Sequence, residues 1–346
     1  MNMTDKIKLK YVDFWSGYEP TTRSLFKAIQ QTGREIEFSD DPDYLICSVF
    51  GHEVLDRKYD NCVKILLTGE NVCPDFNLYD YAIGFEYLDF GDRYLRFPNY
   101  YDLAYKSSWD KLLLKHTCYI ENFSKKEFFC SFVYSNGNAD PIREQFFQEL
   151  SKYKPVNSGG KYLNNIGLPN GVPDKIEFES NHKFSIAFEN SFHPGYTTEK
   201  LIQSFAAGTV PIYWGDPRIK EVFNPDSFIC VHDFTSLDQV IKKIKELDEN
   251  DELYLKYLSS PAILNSNFNR ETQIKKLNTF IENIFNQKKE KTFRRNKLVW
   301  GEKYLDYMNK SWTLFKLNQN KTKTLNSLAD KLKNITSIIK NGNGKI

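Results

Sequence analysis

A dense group of polar side chains lies in FENSFHPGYTTEKLIQSFAAGTVPIYWGDP, where a predicted strand ends and a helix begins. The group contains two carboxylates, an amide, a phenol and an ammonium, namely Glu189, Asn190, Tyr196, Glu199 and Lys200. A lysine in the first turn of a helix is unfavourable unless an anion is present, because this end carries partial positive charge. A diphosphate would supply that anion, Glu199 could accept hydrogen bonds from a ribose diol, and Asn190 and Tyr196 could donate others. The segment therefore predicts a nucleotide site.

A second candidate is Glu70, which follows a run of apolar strand residues in LLTGENVCPDF, residues 66–76. A carboxylate on a tight turn at a strand end can be held in one geometry and kept partly dry. Both properties favour the role of a general base. The alternative is a turn glutamate that faces water, and position alone leaves both interpretations open.

A third candidate is Arg143 in SNGNADPIREQ, where a Gly/Asn turn leads into a helix. A helix N-terminus presents free N–H groups, and a guanidinium can bind two phosphate oxygens at once. Phosphate binding is one interpretation of Arg143. The other is a surface arginine paired with Glu144 or Glu149.

The surrounding pattern predicts an α/β protein, because short apolar strands alternate with helices or polar connections. Strands are predicted within residues 7–15, 35–39, 44–50, 62–71, 79–87, 127–136, 183–190, 209–215 and 227–234. Helices are predicted within residues 21–33, 140–153, 197–208 and 235–247, and a Gly/Asn/Pro-rich loop within 155–173. The pattern restarts after residue 122, which predicts two α/β units at 1–122 and 123–287, followed by a C-terminal segment at 288–346.

Charge is unevenly distributed along the chain. The net charge of +2 is too small to indicate a nucleic-acid partner. Residues 288–346 contain 15 Lys and Arg against four Asp and Glu, so this segment carries +11 and the rest of the chain −9. Within it, residues 324–340 have leucines and isoleucines at helical spacing. Such a basic amphipathic helix either lies on an anionic membrane surface or packs back on the body of the protein.

The remaining signals indicate a cytosolic protein without a metal site. Six scattered cysteines form no CxxC pair, and the first residues contain no apolar leader. Asp41 and Asp43 form a D-x-D, but a proline separates them and a solvated turn explains them best. No dinucleotide-binding or P-loop motif is present.

The polar segments resemble those of the GDP-fucose-dependent bacterial α1,3/α1,4-fucosyltransferases. That family carries Phe-Glu-Asn-Ser, then Tyr-x-Thr-Glu-Lys, then Pro-Ile-Tyr-Trp-Gly, which occur here at 188–191, 196–200 and 211–215. Residues 68–101, which begin TGEN, resemble the N-terminal signature of the family. SFVYSNGNADPIREQFFQEL resembles the start of its donor domain. Tandem heptad repeats, which some relatives carry before a basic end, do not occur in this sequence.

The resemblance implies two Rossmann-like domains that face each other across a cleft, the GT-B arrangement, with the acceptor bound by the first domain. By resemblance, Glu70 takes the place of the general base, Arg143 and Lys200 match residues that bind the diphosphate, and Glu199 matches the ribose contact. The remaining positions belong to the donor site or its neighbourhood: Asn190, Tyr196, Glu189 and Gly160.

The implied reaction is an inverting transfer of L-fucose from GDP-β-L-fucose, without a metal, to a hydroxyl of a Lewis-type glycan. The hydroxyl is expected to be O3 of N-acetylglucosamine or glucose, in an acceptor such as N-acetyllactosamine or lactose. The expected location is the cytoplasm or the inner face of its membrane, contacted through 288–346. One alternative is a two-domain glycosyltransferase that uses another nucleotide sugar, and a remote one is a non-catalytic carbohydrate-binding protein.

Overall fold

The computed structural model describes residues 6–295 and 298–318 and contains two parallel β-sheets. The first sheet has the spatial order β2-β1-β3-β4-β5-β6. Its strands are β1 Ile7–Val12, β2 Ile36–Phe38, β3 Tyr44–Cys47, β4 Val63–Leu67, β5 Tyr81–Gly84 and β6 Tyr94–Arg96. The second sheet has the order β11-β10-β9-β7-β8. Its strands are β7 Phe128–Phe132, β8 Val156–Ser158, β9 His182–Phe188, β10 Val210–Trp214 and β11 Ile229–Cys230. The predicted α/β class is confirmed.

Helices connect the strands of both sheets and cover their faces. They are α1 Ser24–Gln31, α2 Lys106–Leu114, α3 Tyr119–Ser124, α4 Ile142–Ser151, α5 Lys175–Ser180, α6 Glu199–Ala206, α7 Leu237–Glu249, α8 Asp251–Ser259, α9 Arg270–Phe285 and α10 Lys289–Thr292. Residues 300–318 are also helical. Every residue of β3, β5 and β10 is buried, as expected for parallel strands with both faces covered. Continuous apolar runs therefore form the centre of each sheet.

The two units pack against each other through helices. Helix α2 of the first unit lies against α6 of the second. Helix α9 lies at the end of the second unit in sequence but packs on α1 of the first, and the rings of Phe285 and Tyr44 lie 4.5 Å apart. One core cluster therefore contains residues of both units.

The start of the basic C-terminal segment is anchored in the first unit by Asp80. This carboxylate is fully buried and accepts hydrogen bonds from the backbone N–H groups of Lys64, Arg294 and Arg295. The Arg295 Nε atom lies 2.9 Å from Asp80 Oδ2. Further along, Tyr304 donates a 2.6 Å hydrogen bond to Asp75. The predicted amphipathic helix at 324–340 lies outside the described residues.

Within residues 6–295 and 298–318, none of the helices combines the length and apolar character that a transmembrane span needs.

Candidate active site

Glu70 lies just beyond β4, at the carboxyl end of the first sheet. The turn is tied locally, because the Glu70 N–H donates to Thr68 Oγ1 at 3.1 Å and Val72 N–H donates to the Glu70 carbonyl at 2.7 Å. Gly69 is needed here, since a Cβ at this position would lie 2.9 Å from Asn99 Cβ. The turn holds the Glu70 backbone in one position, but the side chain is exposed. The expectation that Glu70 is kept partly dry is therefore wrong.

Glu70 opens into a cavity of about 330 Å³ that residues of both units line. The first unit contributes most of the wall, and Glu199 from the first turn of α6 contributes the part from the second unit. The lining residues are Phe14, Trp15, Tyr18, Arg23, Ser48, Phe50, Leu67, Thr68, Gly69, Glu70, Phe97, Asn99, Asp102, Tyr105 and Glu199. Neither Arg143 nor Lys200 is among them. Lys200 is nevertheless the chain neighbour of Glu199, so the cavity ends beside the predicted nucleotide site.

Three side-chain contacts hold the two sides of this cleft together. Asn71 Nδ2 donates to Ser191 Oγ at 2.7 Å, close to Glu70 in sequence. The carboxylate of Glu86 lies 3.0 Å from His193 Nε2. The Tyr87 hydroxyl donates to Asp216 at 3.1 Å. The predicted segments at 68–87 and 188–217 are therefore brought together, although about 100 residues separate them in sequence.

Glu189 organises the start of α6. Its side chain is fully buried and accepts hydrogen bonds from Thr198 N and Thr198 Oγ1, both at 2.7 Å. Lys200 Nζ donates to Glu189 Oε2 at 3.1 Å and to Thr198 Oγ1 at 2.8 Å. The anion that the sequence required beside Lys200 is therefore supplied by the protein itself. The position of Lys200 alone is no longer evidence for an external phosphate.

The charges in this group keep Lys200 protonated. Burial alone would lower the pKa of Lys200, but the carboxylates of Glu189 and Glu199 raise it well above its ordinary value. For Glu199, burial would raise the pKa, yet Lys200 and Lys175 hold it below the ordinary value. The Glu199 side chain is 25% exposed. An ionised carboxylate with an accessible edge can accept hydrogen bonds from a ligand hydroxyl.

Gly215 explains why the three motif segments occur together. It has a φ of 155°, and a Cβ at this position would lie 2.5 Å from Glu189 Cγ. The Glu189 side chain can reach Thr198 and Lys200 only because the residue after β10 is glycine. The Glu-Asn, Thr-Glu-Lys and Trp-Gly motifs therefore form one packed unit.

Arg143 lies in the first turn of α4 and is 1% exposed. Its Nη1 donates to Asn190 Oδ1 at 2.9 Å and its Nη2 donates to the Asn136 carbonyl at 2.5 Å. Its guanidinium carbon lies 4.2 Å from the centre of the Tyr134 ring. The alternative of a surface arginine paired with Glu144 or Glu149 is therefore wrong. Arg143 and Asn190 form one hydrogen-bonded pair at the carboxyl end of the second sheet.

Gly160 and Tyr196 are both structurally constrained. A Cβ at Gly160 would lie 1.9 Å from the Tyr134 carbonyl oxygen, so only glycine allows the 155–173 loop to cross here. This crossing supports Tyr134, on which Arg143 stacks.

Tyr196 is 2% exposed, its ring lies 5.1 Å from that of Phe85, and burial raises its pKa. Tyr196 therefore packs between the units with little of its surface open to a ligand.

Sequence reasoning missed several residues of the site. Thr198 and Tyr134 hold Lys200 and Arg143 in place, and Thr198 could have been recognised as the residue before a helix that begins Glu-Lys. Tyr18, Arg23 and Asn99 line the cavity, and nothing in their local sequence distinguishes them.

Asp41 and Asp43 do not belong to the site, since Asp43 pairs with Lys289. The described part of the chain contains no cluster of three His, Cys, Asp or Glu side chains arranged for a metal ion.

Comparison with known families accounts for most of the chain. Residues 9–103 match the alpha-(1,3)-fucosyltransferase FucT N-terminal domain family. Residues 123–297 match the C-terminal domain of glycosyltransferase family 10 (fucosyltransferase). The boundary between the two matches falls between the two sheets.

Individual relatives agree with the family matches. An alpha-(1,3)-fucosyltransferase FucT of Helicobacter pylori is 37% identical over 73% of this chain and 59% of its own length. The chain thus spans about three fifths of this curated relative. A crystal structure of alpha1,3-fucosyltransferase superposes with a TM-score of 0.74 at 32% identity, covering 86% of this chain and 93% of that one. A crystal structure with GDP-fucose gives 0.71 at 31% identity, covering 84% and 93%. The two facing parallel sheets and these matches show that the chain belongs to glycosyltransferase family 10, the fucosyltransferases.

Proposed function

We propose that this protein transfers L-fucose from GDP-β-L-fucose to a hydroxyl of a glycan acceptor. Family membership supports the reaction class, and one related alpha1,3-fucosyltransferase has a crystal structure with GDP-fucose. The observation that carries the proposal is the cavity between the units, which Glu70 lines from one side and Glu199 from the other. A base and a donor site must face each other in this way for a single displacement.

The donor half would bind the guanosine diphosphate at the start of α6 and near Arg143. Lys200 uses two of its three N–H groups on Glu189 and Thr198, which leaves one for a phosphate oxygen. The first N–H groups of α6 and the positive end of its dipole favour an anion at the same place. Glu199 would accept hydrogen bonds from the ribose hydroxyls through its exposed edge.

In the acceptor half, Glu70 takes the proton of the attacking hydroxyl as the acceptor oxygen bonds to C1 of fucose. The bond from C1 to the diphosphate oxygen breaks on the opposite face, so a β-linked donor yields an α-linked product. The transition state resembles an oxocarbenium ion, as in glycoside hydrolysis. Negative charge that develops on the departing diphosphate is offset by Arg143, Lys200 and backbone N–H groups. These groups would make a metal dispensable.

We propose O3 of N-acetylglucosamine or glucose as the hydroxyl, in an acceptor of the N-acetyllactosamine or lactose type. The test is incubation of the protein with GDP-fucose and lactose, N-acetyllactosamine or lacto-N-biose, with product linkage determined by NMR. An α1,3-fucosylated product is expected. Absence of product from all three acceptors would contradict the proposal.

Selectivity for the nucleotide distinguishes GDP-fucose from another nucleotide sugar as the donor. Thermal melts with GDP and UDP at equal concentration should show stabilisation by GDP alone, because a ligand that binds only the folded state raises its stability. Equal stabilisation by UDP would favour the alternative donor.

We also propose that the C-terminal segment contacts an anionic membrane surface. Its described helix at 300–318 exposes large apolar side chains, including Trp300 at 74% and Tyr307 at 69%. Lysines interleave with them at positions 303, 310 and 316. This combination is typical of helices that lie in a membrane interface. Flotation with phosphatidylglycerol vesicles, but not with phosphatidylcholine vesicles, is expected, and equal flotation with both or neither would contradict it.

A further inference from the structure

The acceptor side of the cavity contains three buried polar atoms for which the described residues offer no hydrogen-bond partner. They are the Tyr18 hydroxyl, Arg23 Nε and Asn99 Oδ1. All three residues line the cavity that Glu70 and Glu199 share. Buried polar groups are normally paired, so three such atoms around one cavity indicate a ligand that carries both donors and acceptors. Sugar hydroxyls have this property.

Arg23 has further hydrogen-bonding capacity. Among the described residues, its guanidinium makes one hydrogen bond, from Nη1 to Asp102 Oδ1 at 3.5 Å, which is long. Asp102 is already occupied, since it accepts hydrogen bonds from the N–H groups of Ser24 and Ala104, both at 3.0 Å. A guanidinium has five N–H donors, so most of those of Arg23 are available to a ligand.

Aromatic rings surround the same side chain. Phe14 and Tyr18 are stacked with ring centres 4.0 Å apart, and Trp15 meets Tyr18 edge-on at 4.8 Å. The Arg23 guanidinium lies 5.3 Å from the centre of the Tyr18 ring. We call Phe14, Trp15 and Tyr18 the aromatic wall. An apolar wall with a few convergent polar groups is the usual composition of a small-molecule site.

The order of the strands separates this wall from Glu70. The aromatic wall follows β1, Glu70 follows β4, and β3 lies between them in the sheet. Neighbouring strands are about 4.8 Å apart, so the two strand ends are separated by about 10 Å. One sugar ring does not span this distance, whereas two linked rings do. Asn99, which packs against Gly69, lies at the Glu70 end.

We propose that Tyr18 and Arg23 form a subsite for the sugar attached to the fucosylated residue, so that the protein selects acceptors of at least two sugars. The second ring lies against the aromatic wall, and its hydroxyls bond to the Tyr18 hydroxyl and the Arg23 guanidinium. Asn99 accepts a hydrogen bond from the reacting sugar itself. This inference rests on the proposed fucosyl transfer and adds the residues that determine acceptor length.

The variant Tyr18→Phe tests the subsite, because it removes the hydroxyl and retains the ring. The matched control is Tyr11→Phe, since the Tyr11 hydroxyl is also buried with no partner among the described residues but does not line the cavity. For N-acetyllactosamine, kcat/KM should fall about 2–10-fold in Tyr18→Phe, the effect of one hydrogen bond, and stay unchanged in the control. Arg23→Gln should lower it about 10–100-fold, as expected for a bond to a charged group.

Two further measurements distinguish a subsite from a general loss of activity. They are kcat/KM with the monosaccharide N-acetylglucosamine and KM for GDP-fucose. With the monosaccharide, kcat/KM should be the same in wild type and Tyr18→Phe, and KM for GDP-fucose should not change. Equal losses with both acceptors, or no loss with the disaccharide, would overturn the subsite.

If the wild type fucosylates no acceptor, the proposed function fails. Saturation-transfer NMR then decides the subsite: weaker N-acetyllactosamine binding in Tyr18→Phe alone supports it, and equal binding in all proteins overturns it.

Discussion

The carboxylate of Glu189 and the ammonium of Lys200 form a buried ion pair, with 3.1 Å between Glu189 Oε2 and Lys200 Nζ. The two residues come from different motif segments, one at the end of β9 and one in the first turn of α6. The pair fixes Lys200 at the helix start, where its charge would otherwise be repelled by the helix dipole. Together with the hydrogen bond to Thr198, it holds the Lys200 side chain in a defined orientation.

Replacing Glu189 by glutamine should lower the free energy of unfolding by about 1.5–3 kcal/mol, because it removes the charged hydrogen bond to Lys200 and leaves Glu199, 3.7 Å away, to balance that buried charge. Urea denaturation measures this change. The control is Glu221→Gln, whose partner Arg218 and own side chain are about half exposed, and which should change stability by about 0.5 kcal/mol or less. Equal effects of the two substitutions would show that the buried pair contributes no more to the free energy of unfolding than the exposed pair.

Glu70→Gln should lower kcat about 100-fold or more, since a positioned general base contributes about 10²–10⁴-fold. The affinity for GDP should not change, because in the proposed arrangement Glu70 contacts the acceptor hydroxyl and not the nucleotide. Steady-state kinetics and calorimetry measure the two quantities. Glu35→Gln, an exposed substitution in the same unit, serves as the control. Near-normal turnover of Glu70→Gln would exclude the base role.

Lys200→Ala and Arg143→Lys should each weaken GDP binding about 10-fold or more, because in the proposed donor site Lys200 donates a charged hydrogen bond to phosphate and the buried Arg143 adds positive charge beside it. Lysine cannot reproduce the Arg143 contacts with both Asn190 and the Asn136 carbonyl. Calorimetric titration of GDP gives the affinities, with Lys152→Ala, an exposed substitution at the opposite end of α4, as control. Unchanged affinity in either variant would remove that residue from the diphosphate site.

Activity should persist in excess EDTA. Arg143, Lys200 and the N–H groups of α6 are expected to offset the charge that grows on the diphosphate, as metal ions do in other transferases. Transfer is measured before and after chelation. Activity that disappears in EDTA and returns with Mn²⁺ would contradict this prediction.

Stability should fall as the pH drops from about 6.5 to 4, in part because of His182. This ring is 1% exposed, its Nδ1 lies 2.9 Å from the Phe178 carbonyl, and burial lowers its pKa to about 4. Its ordinary pKa is about 6.5, so below that value the unfolded chain binds a proton that the folded protein excludes, at a cost of up to about 3 kcal/mol. The difference in unfolding free energy between wild type and His182→Gln should therefore vary across this pH range. A constant difference would contradict the assignment, and the exposed His116→Gln serves as control.

Much of the fold could be predicted from local pattern. The nine predicted strands are present, and α6 begins after Thr198 as expected from TTEK. The sequence does not predict β6 or β8: β6 lies between Gly91 and Pro98, which indicate turns, and β8 lies in a segment rich in glycine and asparagine. Strands this short are held by pairing with their neighbours, so their own sequence carries little signal.

The sequence by itself determined nine of the strands, the helices α1, α4, α6 and α7, and the residue types of the candidate site, because hydrophobic periodicity and motif spacing are local properties. Only the tertiary structure decided which charges meet. Glu189 proved to be the partner of Lys200, Arg143 proved to be buried on Tyr134, and Glu70 proved to share its cavity with Tyr18 and Arg23. The Glu70 cavity depends on strand order, which brings together residues 47 and 52 positions apart (70 − 23 and 70 − 18). The other two contacts depend on how a strand end packs against the helix that follows it. No local pattern contains that information.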